Sequence, residues 1–77
     1  MEIKTFIKHF VEQFDETPAE VINENTSFRE VDGWDSLIAL GVIAMIDDEY
    51  NTSLSFSDMK ECTTLLELFE AVKRKKA

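Results

Sequence analysis

The sequence predicts an all-α fold: a small bundle of four helices, three main ones and a short third, with a long loop between helices one and two. Three observations predict it. Only two glycines and one proline occur in 77 residues, too few for a set of short strands joined by tight turns. Apolar residues near both ends recur at the spacing of one helix face. The apolar fraction of 44% is ordinary for a globular chain and argues against disorder. A chain of this length forms one domain, residues 1–77, and buries only roughly 60% of its unfolded surface. A deep catalytic cleft beside the core is not expected.

The first helix is predicted over 2–14. Ile3, Phe6, Ile7, Phe10, Val11 and Phe14 recur at i, i+3, i+4, i+7, i+8 and i+11. Lys4, Lys8, His9, Glu12 and Gln13 fall largely on the other faces, so His9 is expected in solvent. Residues 15–34 have no sustained period. Thr17-Pro18-Ala19-Glu20 has the form of a capping box with proline at the first helical position. It predicts a single turn that buries Val21 and Ile22. Loops this long are usually functional or pinned by their own apolar residues, and Val21, Ile22, Phe28 and Val31 serve as pins. Gly33 suits a tight turn or a positive φ.

Asp35 is the expected N-cap of helix two, because its carboxylate can accept from first-turn amides. That helix runs from Ser36 to about Tyr50. Ala39, Val42, Ile43, Ile46 and Tyr50 make its buried stripe. Leu37, Ile38, Leu40, Ala44 and Met45 lie on or beside other faces, where charged residues would be expected. Gly41 inside the helix costs about 1 kcal/mol relative to alanine, which a close approach by another backbone would explain. Asp47, Asp48 and Glu49 near the helix end oppose its macrodipole by about 0.3–1 kcal/mol each when exposed.

A connecting segment with Leu54, Phe56 and Met59 follows, with a short helix near 57–61 capped by Ser57. Thr64-Leu65-Leu66-Glu67 is a second capping box. Leu65, Leu68, Phe69 and Val72 supply the inward stripe of the last helix. Lys73, Arg74, Lys75 and Lys76 complement that helix's own negative end. Cys62, among apolar neighbours, reads as a small core residue and not a nucleophile.

The charge is −8 and uneven. Residues 15–50 hold ten acids and one base, Arg29, while the rest holds six acids and seven bases. A general nucleic-acid binder needs cations to displace phosphate counterions, and this balance excludes one. The acidic half suits a soluble surface or docking against basic partners. With one cysteine and one histidine, neither an internal disulfide nor a Cys/His zinc set is possible. No apolar signal core and no stretch of membrane-spanning length occurs. A cytoplasmic monomer is the expectation.

Gly33-Trp34-Asp35-Ser36-Leu37 concentrates the chemistry. A serine nucleophile needs a base and an orienting group. His9 is the only imidazole and belongs to helix one. No G-x-S-x-G elbow occurs, and the acids lack calcium-loop spacing. Attachment fits better. A hydroxyl in a helix's first turn faces solvent, and the unpaired amides of that helix end favour a phosphate.

The chain resembles the acyl carrier proteins of the phosphopantetheine-binding family. The match spans essentially the whole chain: helix one, the long loop with Phe28, Asp35-Ser36-Leu37, the acidic Asp47-Asp48-Glu49-Tyr50, the short third helix, and the Thr63-Thr64-Leu65 entry to the last helix. The resemblance implies that Ser36 accepts 4'-phosphopantetheine from coenzyme A, transferred by a phosphopantetheinyl transferase using magnesium. Substrates would ride as thioesters on the arm's terminal thiol, so the carrier itself is not an enzyme. Asp35 would cap the helix and help dock the transferase. Leu37 would pack against partner enzymes, such as acyl ligases or synthases with basic and apolar patches. The apolar stripe of helix two would line the space sheltering an acyl chain.

The chain also departs from that family. Typical fatty-acid-type carriers have acids just after the serine, where this sequence has Ile38 and Gly41. The expected dock is apolar beside the serine, through Trp34, Leu37, Ile38, Gly41 and Met45, and acidic further on, through Asp47 and Asp48. A dedicated carrier for a specialised lipid or polyketide-like pathway follows from these departures. An aminoacyl or peptidyl carrier is an alternative, although such carriers often have histidine where Asp35 stands. A non-carrier module binding a partner helix through Leu37, Ile38 and Met45 is another.

Overall fold

A computed structural model of the chain describes residues 2–14, 22–31 and 33–76. Among these the chain forms four α-helices, α1 (Ile3–Val11), α2 (Ser36–Tyr50), α3 (Phe56–Lys60) and α4 (Leu65–Lys76), with a 3-10 turn at Phe28–Glu30. The described residues contain no strand, only an isolated antiparallel bridge between Ser27 and Thr64. The all-α four-helix expectation therefore holds. α1 packs against both α2 and α4.

α1 keeps its predicted apolar face but is regular only to Val11. Gln13 and Phe14 continue through tighter i→i+3 bonds to Phe10 and Val11, a common way for a helix to end. Phe6 and Phe10 are fully buried, with Phe14 nearly so. His9 differs from its prediction. It is only 22% exposed, with its ring edge against Tyr50 at 6.1 Å and Glu12 and Glu49 near its two nitrogens. A helical wheel drawn for α1 alone puts His9 off the stripe, but α2 extends far enough to cover it.

The Thr17–Glu20 capping box and Val21 lie outside the described residues. Ile22 and Phe28 are buried as predicted, and Val31 is half-buried against the core. Phe28 N–H donates to Thr63 O, Leu65 N–H to Thr26 O and Leu66 N–H to Glu24 O. These bonds stitch the loop to the start of α4. Arg29 adds a donation to Lys60 O at 3.1 Å.

α3 starts one residue before the expected position, and its cap is Ser55, not Ser57. Asp58, the third helical residue, accepts from the Ser55 N–H, and Ser55 Oγ accepts from Asp58 N–H. From Ser57 the same step reaches Lys60, which has no acceptor to return. α4 begins with the predicted box. Glu67 accepts from the N–H groups of Thr63 and Thr64, and Thr64 Oγ1 accepts from Glu67 N–H. Leu65, Leu68, Phe69 and Val72 are all buried.

The basic end of α4 reaches other helices. Lys76 Nζ donates to Tyr50 O at the end of α2, and Lys75 pairs with Asp58 of α3. The core joins α1, α2, α4 and the 3-10 turn through Phe6, Phe10, Phe28, Val42, Ile46, Leu65, Leu68 and Val72, each with essentially no exposed surface, and α3 adds the buried Met59. Cys62 is buried there as predicted. Burial, with Glu67's charge adding, pushes its thiol pKa up, which favours the unreactive protonated form.

Candidate functional site

Gly33 takes φ +92°, a backbone state that side chains rarely adopt. Trp34 N–H then donates to Val31 O at 3.0 Å and closes the turn. Asp35 is extended (φ −153°, ψ −176°), and its Oδ1 accepts from Ile38 N–H at 2.8 Å. Its carbonyl accepts the first helical bond, from Ala39 N–H at 2.9 Å. Asp35 is thus the N-cap, as its chemistry predicts.

Two of the donors at this helix start remain. The N–H groups of Ser36 and Leu37 have no hydrogen-bond partner among the described residues. The first turn carries no acid. The residue Ser36 is exposed. A hydroxyl, two open amides and the positive end of a fifteen-residue helix therefore converge at one surface point. Such a point favours an anionic phosphate bonded to the serine oxygen.

No imidazole stands near it. His9 lies 3.8 Å from Glu49, thirteen residues along α2, which is about 20 Å of helix. Among the described residues no group of three His, Cys, Asp or Glu side chains could hold a metal ion. This geometry suits attachment better than nucleophilic turnover.

The other predicted site residues divide. Leu37 is 75% exposed, and Leu40, one turn on, is 51% exposed. Asp47 and Asp48 are exposed near the end of α2. Met45, expected on the docking face, is buried at 7% exposure and belongs to the core. The predicted stripe was too narrow: α1 and α2 are close enough to enclose the next row of the helix. Ile38 is half-buried and packs on the core, so little of it is left for a partner.

Gly41 faces Gln13, just past the end of α1, whose Oε1 would lie 3.0 Å from an added Cβ. Its neighbour is this chain's own side chain and not an outside backbone. Trp34 turns inward more than a docking residue would. Its ring stacks on Phe10 (6.2 Å between centroids, 18° between planes) and meets Phe28 edge-on at 5.4 Å.

Phe56 was not foreseen as a surface residue, yet it is 46% exposed. Its place at the first position of α3 is the signal that the shifted helix start concealed. Ile46 and Tyr50, from the stripe expected to shelter cargo, belong to the core cluster with Phe6 and Phe69, and Phe6 lies 5.9 Å from Tyr50 and 5.4 Å from Phe69. Burial, followed by the charge of Glu49, raises the Tyr50 phenol pKa.

The family model for the phosphopantetheine attachment site matches residues 5–72. The chain belongs to that family of carrier domains. It is a non-catalytic carrier that holds 4'-phosphopantetheine covalently, and that group supplies a terminal thiol for carrying substrates as thioesters. A phosphopantetheinyl transferase and the enzymes of its pathway are its partners. No characterised protein and no solved structure gives a significant match. No helix among the described residues is long and apolar enough to cross a membrane. The family match removes the non-carrier alternative, and of its three surface residues Met45 is buried and Ile38 half-buried, which leaves Leu37.

Proposed function

We propose that Ser36 is the residue that receives 4'-phosphopantetheine and that the cargo is an acyl group. The observation that carries the attachment reading is the exposed Ser36 at a helix start whose first two N–H groups have no partner among the described residues. The residues fit the group: the phosphodiester would accept from those amides, and no acid in the turn repels it. Asp35 ahead of the serine supports acyl over aminoacyl cargo, by resemblance to acyl carriers.

Docking falls to two separate parts of α2. Leu37 and Leu40 offer exposed apolar contact beside the serine, and Asp47 and Asp48 offer charge to basic partner patches further on. The missing acids at Ile38 and Gly41 support a partner set distinct from that of general fatty-acid carriers. A cytoplasmic pathway is the proposed setting.

Incubation with coenzyme A, magnesium and a broad-range transferase, followed by intact mass, tests the attachment. The expected result is one phosphopantetheinyl group on the wild type and none on Ser36→Ala. A gain that persists in Ser36→Ala, or no gain with several transferases, overturns it. Loading trials with acyl and aminoacyl ligases then test the cargo, and aminoacyl loading alone would replace the acyl reading.

A further inference from the structure

Among the described residues three α-helices start at a side-chain cap, and one is held differently. In α3 and α4 the third helical residue is an acid, Asp58 or Glu67, and returns a bond to the cap residue's own N–H. This reciprocal bond satisfies a second open backbone donor and so tightens the helix start. In α2 the third helical residue is Ile38, which has no acceptor. Asp35 Oδ1 therefore accepts one bond, from Ile38 N–H, and the Asp35 N–H finds no acceptor on that side chain.

The entry of α2 has a substitute. Trp34 immediately precedes the cap, the place where an apolar residue can fix the entry angle by packing. Its ring stacks on Phe10, meets Phe28 edge-on, and lies 6.3 Å from Phe14. Two of these partners are on or just after α1, and the third is in the 3-10 turn. Phe10 and Phe28 are fully buried, so the surface against which Trp34 rests is fixed. The turn behind it is closed by Trp34 N–H on Val31 O. Only Asp35 separates this anchor from Ser36.

We infer that Trp34 is a positioning residue for the loading of Ser36: its packing on Phe10 and Phe28 replaces the missing reciprocal cap and sets where the first turn of α2 presents the serine. The inference rests on the attachment reading above. It also gives Ile38 a consequence. An acid at that position would complete the cap but place a negative charge in the turn that receives a phosphate. An aromatic anchor holds the same turn without charge.

The test measures loading by a broad-range transferase over a range of carrier concentrations, which separates kcat from KM. Misplacing a reacting group by a fraction of an ångström to 1 Å lowers kcat strongly, so Trp34→Ala is expected to lose on the order of tenfold in kcat, with KM little changed. Trp34→Phe, which keeps a flat ring, retains most of the rate. Ile38→Gln added to Trp34→Ala supplies the reciprocal acceptor without charge and restores most of it. Hydrogen exchange at the Ile38 amide rises in Trp34→Ala and falls again in the double variant.

Undiminished kcat in Trp34→Ala, a loss confined to KM, or failure of Ile38→Gln to restore both readouts overturns the inference. Should Trp34→Ala lose its helical circular dichroism, Trp34→Leu keeps apolar volume without the ring, and full kcat in that variant also overturns it. A wild type that takes no arm refutes the attachment reading, and exchange at Ile38 then decides the positioning on its own.

Discussion

At the start of α4, Thr64 and Glu67 satisfy three backbone N–H groups from within the turn itself. At the start of α2, Asp35 satisfies one. The ends differ as well. α4 closes with four basic residues, which suit its negative end. α2 closes with Asp47, Asp48 and Glu49, has no base in its last turn, and has Tyr50 O bonded by Thr52 just past the helix and by Lys76 of α4. α2 also carries Gly41 mid-helix, against Gln13 just past α1. α4 supplies its own reciprocal cap and its own charge at the far end, with loop carbonyls adding bonds to its first N–H groups, whereas α2 supplies only the single Asp35 cap. A first turn without an acid and an acidic far end are poor for an isolated helix but suit a phosphate and a basic partner.

The comparison breaks most readily at Phe10. It contacts Trp34, Phe28 and Phe14, and Phe10→Ala is expected to cost about 3–5 kcal/mol in urea unfolding. Amide exchange at Ile38 should rise more than at Glu67. Equal rises would mean that both helix starts depend on the core alike.

Thr64→Ala should cost about 1 kcal/mol, with exchange rising at the Glu67 amide and not at Ile38. Asp35→Asn should be nearly neutral by the same measure, since an amide oxygen still accepts from Ile38. A larger loss in Asp35→Asn than in Thr64→Ala would reverse the assignment of which start is self-capped.

Acid sharpens the contrast. The Lys75 ammonium, followed by Ser55, lowers the Asp58 carboxyl to about 2. The N–H groups of Thr64 and Thr63 lower Glu67. Both groups are depressed in the folded state, so their stabilisation is complete above the ordinary carboxylate range, about pH 4, and is lost as pH falls through the folded values. Carboxyl carbon-13 titration should place both midpoints below the ordinary range. Midpoints at ordinary values would remove the charged part of the two capping boxes.

Gly41→Ala has the smallest expected effect. Helix propensity favours alanine by up to about 1 kcal/mol, and the added Cβ meets only the movable end of Gln13. A small rise in Tm is expected. A fall would show that Gln13, which donates to His9 O, cannot yield.

Legibility in the sequence follows the range of the interaction. The Asp35 cap, the Thr64-Glu67 box and the span of α2 depend on residues within four positions, and each could be read directly. The exposed first-turn place of Ser36 was legible for the same reason. Ser55 was missed because Ser57 is also a serine, although Asp58 three residues after Ser55 was the available signal. Met45 and His9 were placed outside because a wheel drawn for one helix cannot know how much of it a neighbour covers. Lys76 was assigned to its own helix because its carbonyl partner is 26 positions away.

The sequence by itself determined the helices, the capped serine and the uneven charge, because periodicity, capping and composition act locally or in sum. Only the tertiary structure decided that Met45 is core, that Gly41 faces Gln13, and that Trp34 rests on Phe10 and Phe28. Those outcomes depend on which surfaces meet when the helices pack, and side chains distant in sequence settle that together.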